Sequence, residues 1–227
     1  MVIATIDRPE RRNAVDHASL GALAAVIDQV ATARVLVLTG GGGTFCAGAD
    51  LTGVEDEGFG AALAAVLTGL TSLPIVALAA IDGPALGAGL QLALACDLRI
   101  ATSRSRFGIP AARLGLAVDQ WTIRRLAAEV GAPIARAMLL GAVPYSAEAL
   151  HAVGFVHRIG GLDDAMAWTE ELAQLAPLTI AAHKRGLESP NDATAFGALQ
   201  ARAWRSNDAR EGRAAFLEKR PPRFTGT

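Results

Sequence analysis

Two glycine-rich segments carry the residues of this chain whose types and spacing suit chemistry. One runs Gly40-Gly41-Gly42-Gly43-Thr44-Phe45-Cys46-Ala47-Gly48-Ala49-Asp50-Leu51, the other Asp82-Gly83-Pro84-Ala85-Leu86-Gly87-Ala88-Gly89-Leu90-Gln91-Leu92-Ala93. Each follows an apolar run that reads as a buried strand and leads toward a helix start, where backbone N–H groups lack intrahelical partners. Two such groups aimed at one point form an oxyanion hole, which holds the negative oxygen of a carbonyl compound under attack or enolisation. Small side chains are needed there because a ligand must come close to the backbone. Tight turns in a packed core explain the same glycines without a ligand.

Other chemistries lose their carriers. No Gly-Lys-Ser/Thr closes the Gly40 to Gly43 run, so a phosphate loop is out, and Leu92 stands where a dinucleotide fingerprint needs its third glycine. The histidines His17, His151, His157 and His183 form no H-E-x-x-H pair, no G-x-S-x-G elbow occurs, and no metal or other cofactor is expected. Cys46 and Cys96 are too few for a disulfide framework, which points to a reduced, cytoplasmic setting.

The elements that must position the two loops follow from the pattern. Of 227 residues, 52% are hydrophobic, enough for one sizeable core, and 21 Lys+Arg balance 22 Asp+Glu, so no overall field draws nucleic acid. The apolar stretch Leu73 to Leu94 is broken by Asp82-Gly83-Pro84 and reads as strand, turn and helix rather than a membrane span. Strands are expected at Val2 to Ile6, Val35 to Thr39, Pro74 to Ile81 and Asp97 to Thr102. Helices are expected from Ser19 as cap, at Phe59 to Leu70 and at Leu86 to Cys96. Alternation of this kind builds a mostly parallel α/β sheet. Beyond Phe107 the chain turns helical: Gln120 to Glu129, Pro133 to Leu140, Ala147 to Val153, Asp163 to Leu175, Thr179 to Leu187, and one long helix from Thr194 to Phe216.

Taken together, the two loops and Cys96-Asp97 resemble the enoyl-CoA hydratase/isomerase (crotonase) superfamily. Arg8-Pro9-Glu10-Arg11-Arg12-Asn13-Ala14, Phe107-Gly108-Ile109-Pro110, Leu114-Gly115-Leu116 and the tail Lys219-Arg220-Pro221-Pro222-Arg223-Phe224 resemble it in the same order. The resemblance implies a ββα-spiral core over residues 1–160 that holds a CoA site, and a helical region over 161–227 that builds a homotrimer or a hexamer of two trimers. It implies an acyl-CoA or enoyl-CoA ligand, with the oxyanion amides at Ala49 and Ala88. The nucleotide would lie near Ala47, Ala49, Asp50 and Leu51, with Arg12 by its phosphates and Phe216 and Lys219 completing the pocket.

Departures from the family pattern bear on the reaction. The two glutamates with which the hydratases activate water and deliver a proton are replaced here by Gln91 and Ala111. Glutamine does not titrate, and alanine offers no polar group. Asp119 occupies a position resembling the acid of dienoyl-CoA isomerases, yet it also stands where it can cap the helix Gln120-Trp121-Thr122. The set is similar to a mycobacterial branch that lacks the hydratase glutamates, which implies acyl-CoA binding without hydration. Three readings stay open: a binding protein, an enoyl- or dienoyl-CoA isomerase using Asp119 beside the oxyanion hole, and a hydratase with its base elsewhere.

Overall fold

The computed structural model describes residues 1–52 and 58–227. Strand β1 (Val2–Ile6) leads through a tight turn to α1 (His17–Gln29), β2 (Val35–Gly40), α2 (Gly58–Ser72) and β3 (Val76–Ile81). Short β4 (Pro84–Leu86), α3 (Ala88–Ala95), β5 (Leu98–Ala101) and β6 (Arg106–Gly108) follow, then α4 (Gln120–Val130) and α5 (Ala132–Leu140). The chain ends with β7 (Tyr145–Ser146), α6 (Ala147–His151), β8 (Arg158–Ile159), α7 (Leu162–Ala173), α8 (Pro177–Glu188), α9 (Ala193–Arg205) and α10 (Asn207–Glu218).

The main sheet has the order β1-β2-β3-β5-β8 and is parallel throughout, as strand–helix alternation requires. Its central strands are apolar on both faces because both are covered. Leu36, Leu38, Ala77 and Ala79 face α1, α2 and α3, while Val35, Val37, Val76 and Leu78 pack with Ala165, Trp168 and Leu172 of α7. The 161–227 stretch therefore opens with a helix that belongs to the core. A smaller sheet, β4-β6-β7, stands beside the first. No described helix is long and apolar enough to cross a membrane.

Several sequence expectations change. Asp16, not Ser19, caps α1, its Oδ1 accepting the Ser19 N–H at 2.8 Å. The strand expected from Pro74 begins at Val76. The segment expected to be helical from Leu86 starts as β4, paired in parallel with β6. Gly87, at φ 50 and ψ −117, then turns the chain into α3 through a conformation that a side chain would obstruct. The long helix from Thr194 to Phe216 is two helices, broken at Ser206, whose hydroxyl accepts the Ala209 N–H and starts α10. The tail then folds back along α10. Buried Asp208 accepts the Thr225 and Gly226 amides at 2.7 and 2.9 Å.

Candidate active site

Segment 46–50 lies between two neighbours and bonds to both through its backbone. On one side Val15 donates to the Gly48 carbonyl and accepts from Asp50, and the Ala47 amide donates to the Arg12 carbonyl. On the other side Cys46 donates to Pro84, and Leu86 donates back to Cys46. Pairing of this parallel kind turns the Ala49 N–H away from Val15, toward the side that carries β4 and α3. Neither the Ala49 amide nor the Ala88 amide, the first of α3, finds an acceptor among the described residues.

Their approach depends on glycine. A Cβ at Gly89 would sit 2.2 Å from the Cys46 carbonyl oxygen, and one at Gly48 would sit 3.3 Å from that of Leu86. With side chains there, the helix start and the loop would be forced apart. Cys46 itself is buried, which pushes its thiol up to about 11 and leaves it inert.

Ala49 and Ala88 both line a cavity of about 590 Å³. Phe59 and Leu63 of α2 line one side, and Ala111, Leu114, Leu116 and Val118 line another. Ala47, Leu51, Gln91 and Asp119 also reach the wall, and Asp119 is its only ionisable group among the described residues. An apolar cavity lined by two residues with unpaired N–H groups can take an acyl chain whose carbonyl oxygen bears negative charge.

Gln91 and Asp119 come together although 28 residues separate them. The Gln91 Nε2 group donates to Asp119 Oδ2 at 2.9 Å and to Thr122 Oγ1 at 2.8 Å. Asp119 caps α4: its Oδ1 accepts the Thr122 N–H at 2.9 Å and its Oδ2 the Thr122 hydroxyl at 2.7 Å. A second tie fixes the same two helices further along. Buried Arg99 donates to the Ala93 and Cys96 carbonyls at the C-terminus of α3 and to Glu129 of α4 at 2.6 Å. Sequence reasoning missed Thr122 and Arg99; the spacing Asp119-x-x-Thr122, an N-cap followed by its N3 partner, was the available signal for the first.

The remaining site residues divide. Asp50 turns its carboxylate to Arg8, at 3.1 Å, and to the Thr52 hydroxyl, at 2.6 Å. The Thr52 contacts, with Arg8, hold that carboxyl down at about 2, so Asp50 fastens the loop. Arg12 adopts left-handed geometry and is exposed beside Ala47, with no side-chain partner among the described residues. Phe216 and Lys219 are not brought to this cavity within the chain. Phe216 lines a separate cavity of about 790 Å³ with Phe196, Trp204 and Phe224, and Lys219 ends α10 in left-handed geometry. Among the described residues, no three His, Cys, Asp or Glu side chains gather as a metal site.

Comparison with known proteins adds sequence and structural kinship. The family pattern described as "Enoyl-CoA hydratase/isomerase" matches residues 1–227. The probable enoyl-CoA hydratase echA6 of Mycobacterium tuberculosis is 44% identical over 232 residues, covering 97% of this chain and 94% of that protein. The 2,3-dehydroadipyl-CoA hydratase of Escherichia coli is 32% identical, covering 100% and 95%. The crystal structure of an enoyl-CoA hydratase from Mycobacterium tuberculosis H37Rv superposes with a TM-score of 0.87 at 36% identity, covering 100% of this chain and 96% of that one.

Proposed function

The chain belongs to the enoyl-CoA hydratase/isomerase family, and from that membership we propose that it binds long acyl-CoA thioesters in lipid metabolism and is deficient in hydration. One observation carries this reading: the cavity keeps both unpaired amides, Ala49 and Ala88, while the acid and base positions hold a carboxamide and a methyl group. The amides suffice to hold a thioester carbonyl. Hydration further needs a group to activate water and one to protonate the α-carbon, and each such group contributes typically about 10² to 10⁴ in rate. Gln91 and Ala111 supply neither.

On this reading the acyl chain runs along Phe59, Leu63 and Leu116, and Arg12 meets the phosphates of CoA in the cytoplasm. A homotrimer or hexamer is the corresponding assembly. Trp204 of α9 and Phe216 and Leu217 of α10 stand between 68% and 83% exposed, and an exposed apolar cluster of this kind supports a protein–protein contact.

A second reading draws on Asp119 at the cavity wall: an enoyl- or dienoyl-CoA isomerase in which this carboxylate moves a proton between carbons while the amides hold the enolate. Against it, Asp119 already accepts three hydrogen bonds.

Calorimetric titration with a saturated long-chain acyl-CoA, beside a hydration assay on short and long 2-enoyl-CoA, tests the proposal. We expect binding, and hydration at least about a thousandfold below an ordinary hydratase. Absence of binding, or turnover at the ordinary rate, overturns it. Isomerisation lost in Asp119→Asn would establish the second reading instead.

A further inference from the structure

Resting on the acyl-CoA reading, we propose that Asp119 is a positioning residue that sets the polarity of the acyl pocket, making the site take 3-hydroxyacyl thioesters in preference to 3-oxoacyl thioesters. The Thr122 N–H of α4 fixes Asp119 Oδ1 as its acceptor, and the Thr122 hydroxyl gives its proton to Oδ2. A carboxylate offers only acceptors, and the Thr122 oxygen, its proton committed, offers another. The Gln91 carboxamide must therefore turn its nitrogen to both, and the two N–H groups of Nε2 are consumed there. Its oxygen, Oε1, has no donor among the described residues, and Gln91 lines the cavity. What the bound ligand meets is an acceptor held in one orientation.

The position of that acceptor follows from α3. Gln91 lies three residues after Ala88, about 4.5 Å along the axis, and helical side chains slant back toward the N-terminus. With the thioester oxygen on the Ala49 and Ala88 amides, the Gln91 carboxamide borders the first carbons beyond the thioester. The first of these at which fatty acyl thioesters commonly differ in oxidation level is C3, as methylene, hydroxyl or ketone. A hydroxyl donates to Oε1. A ketone oxygen meets Oε1 lone pair to lone pair and finds no donor, which corresponds to about a tenfold or greater loss of affinity against the hydroxyl compound.

The isosteric change Asp119→Asn gives the decisive test. The Thr122 N–H still requires an acceptor, so the new amide presents its oxygen to the cap and its nitrogen to Gln91. Gln91 must then turn over, oxygen toward the asparagine and nitrogen into the cavity. Saturated, 3-hydroxyacyl and 3-oxoacyl-CoA of one chain length are titrated by calorimetry into the native protein, Asp119→Asn and Gln91→Leu. The native protein should prefer the 3-hydroxy compound by about tenfold, Asp119→Asn should prefer the 3-oxo compound, and Gln91→Leu should separate the two by less than about threefold. A purely structural cap would weaken all three ligands alike without reversing their order. Equal native affinity for the two oxygenated thioesters, with saturated acyl-CoA bound, overturns this inference and leaves the acyl-CoA reading standing. An unchanged order in Asp119→Asn also overturns it. Failure of the native protein to bind saturated acyl-CoA removes both.

Discussion

Gln91 Nε2 and Asp119 Oδ2 stand 2.9 Å apart, on α3 and at the cap of α4. That distance governs any attempt to install hydratase chemistry. Gln91→Glu would set two carboxylates within hydrogen-bond reach, and such a pair cannot both ionise, so one is protonated well above the ordinary range. The double variant Gln91→Glu with Ala111→Glu supplies both missing groups and should still hydrate 2-enoyl-CoA above the native level, with either single change doing much less. Adding Asp119→Asn, which removes the competing charge, should raise the rate by about a further order of magnitude at neutral pH. Steady-state rates of the native protein and the four variants check the order.

The cap separates into stability and polarity. Asp119→Ala removes the acceptor for the Thr122 N–H and should cost about 1 kcal/mol or somewhat more, whereas Asp119→Asn should be nearly neutral because asparagine caps as well as aspartate. Urea unfolding midpoints read this difference.

Gly89 lies under the Cys46 carbonyl, where an added Cβ would stand at 2.2 Å. Gly89→Ala must push α3 away from segment 46–50, at a cost of about 1–3 kcal/mol. On the acyl-CoA reading it should also displace the Ala88 amide relative to that of Ala49. Loss of acyl-CoA binding beyond the loss of stability, read in the same calorimeter at a temperature where the variant is folded, distinguishes misplacement from unfolding.

Arg12 is exposed beside the loop that carries Ala47. Arg12→Ala should weaken an acyl-CoA about tenfold while leaving the matching pantetheine thioester, which lacks the nucleotide phosphates, within about twofold. Raising the salt should reduce the difference.

His157 is held neutral by burial and by the neighbouring Arg99 charge, which push it down to about 4 from 6.5. The unfolded chain takes up this proton first as the medium acidifies. The stabilisation is complete above pH 6.5 and is lost as pH falls from there toward 4. Thermal midpoints measured across that window should decline in the native protein and decline less in His157→Gln.

Composition and periodicity determined the parallel α/β core, because fully covered strands must be apolar on both faces, and Val35 to Thr39 is apolar through its first four residues. The loops were legible for an equally local reason: Gly89 is demanded by close backbone approach to Cys46, and Gly48 and Gly87 by a positive φ that side chains rarely adopt. The break at Ser206 was hidden because the apolar spacing of α9 runs on into α10, and only the Ser206 cap to Ala209 separates them. That Gln91 and Ala111 stand where hydratases carry their two glutamates is what the family resemblance implies. What Gln91 does could not be read from the sequence. Its amide polarity depends on a carboxylate 28 residues away and on the direction of one backbone N–H, and chain folding alone brings those groups within 3 Å. The destination of Phe216 was likewise a tertiary matter. Its place on α10 was visible in the pattern, but the packing of α8, α9 and α10 puts it at a cavity other than the one beneath Ala49.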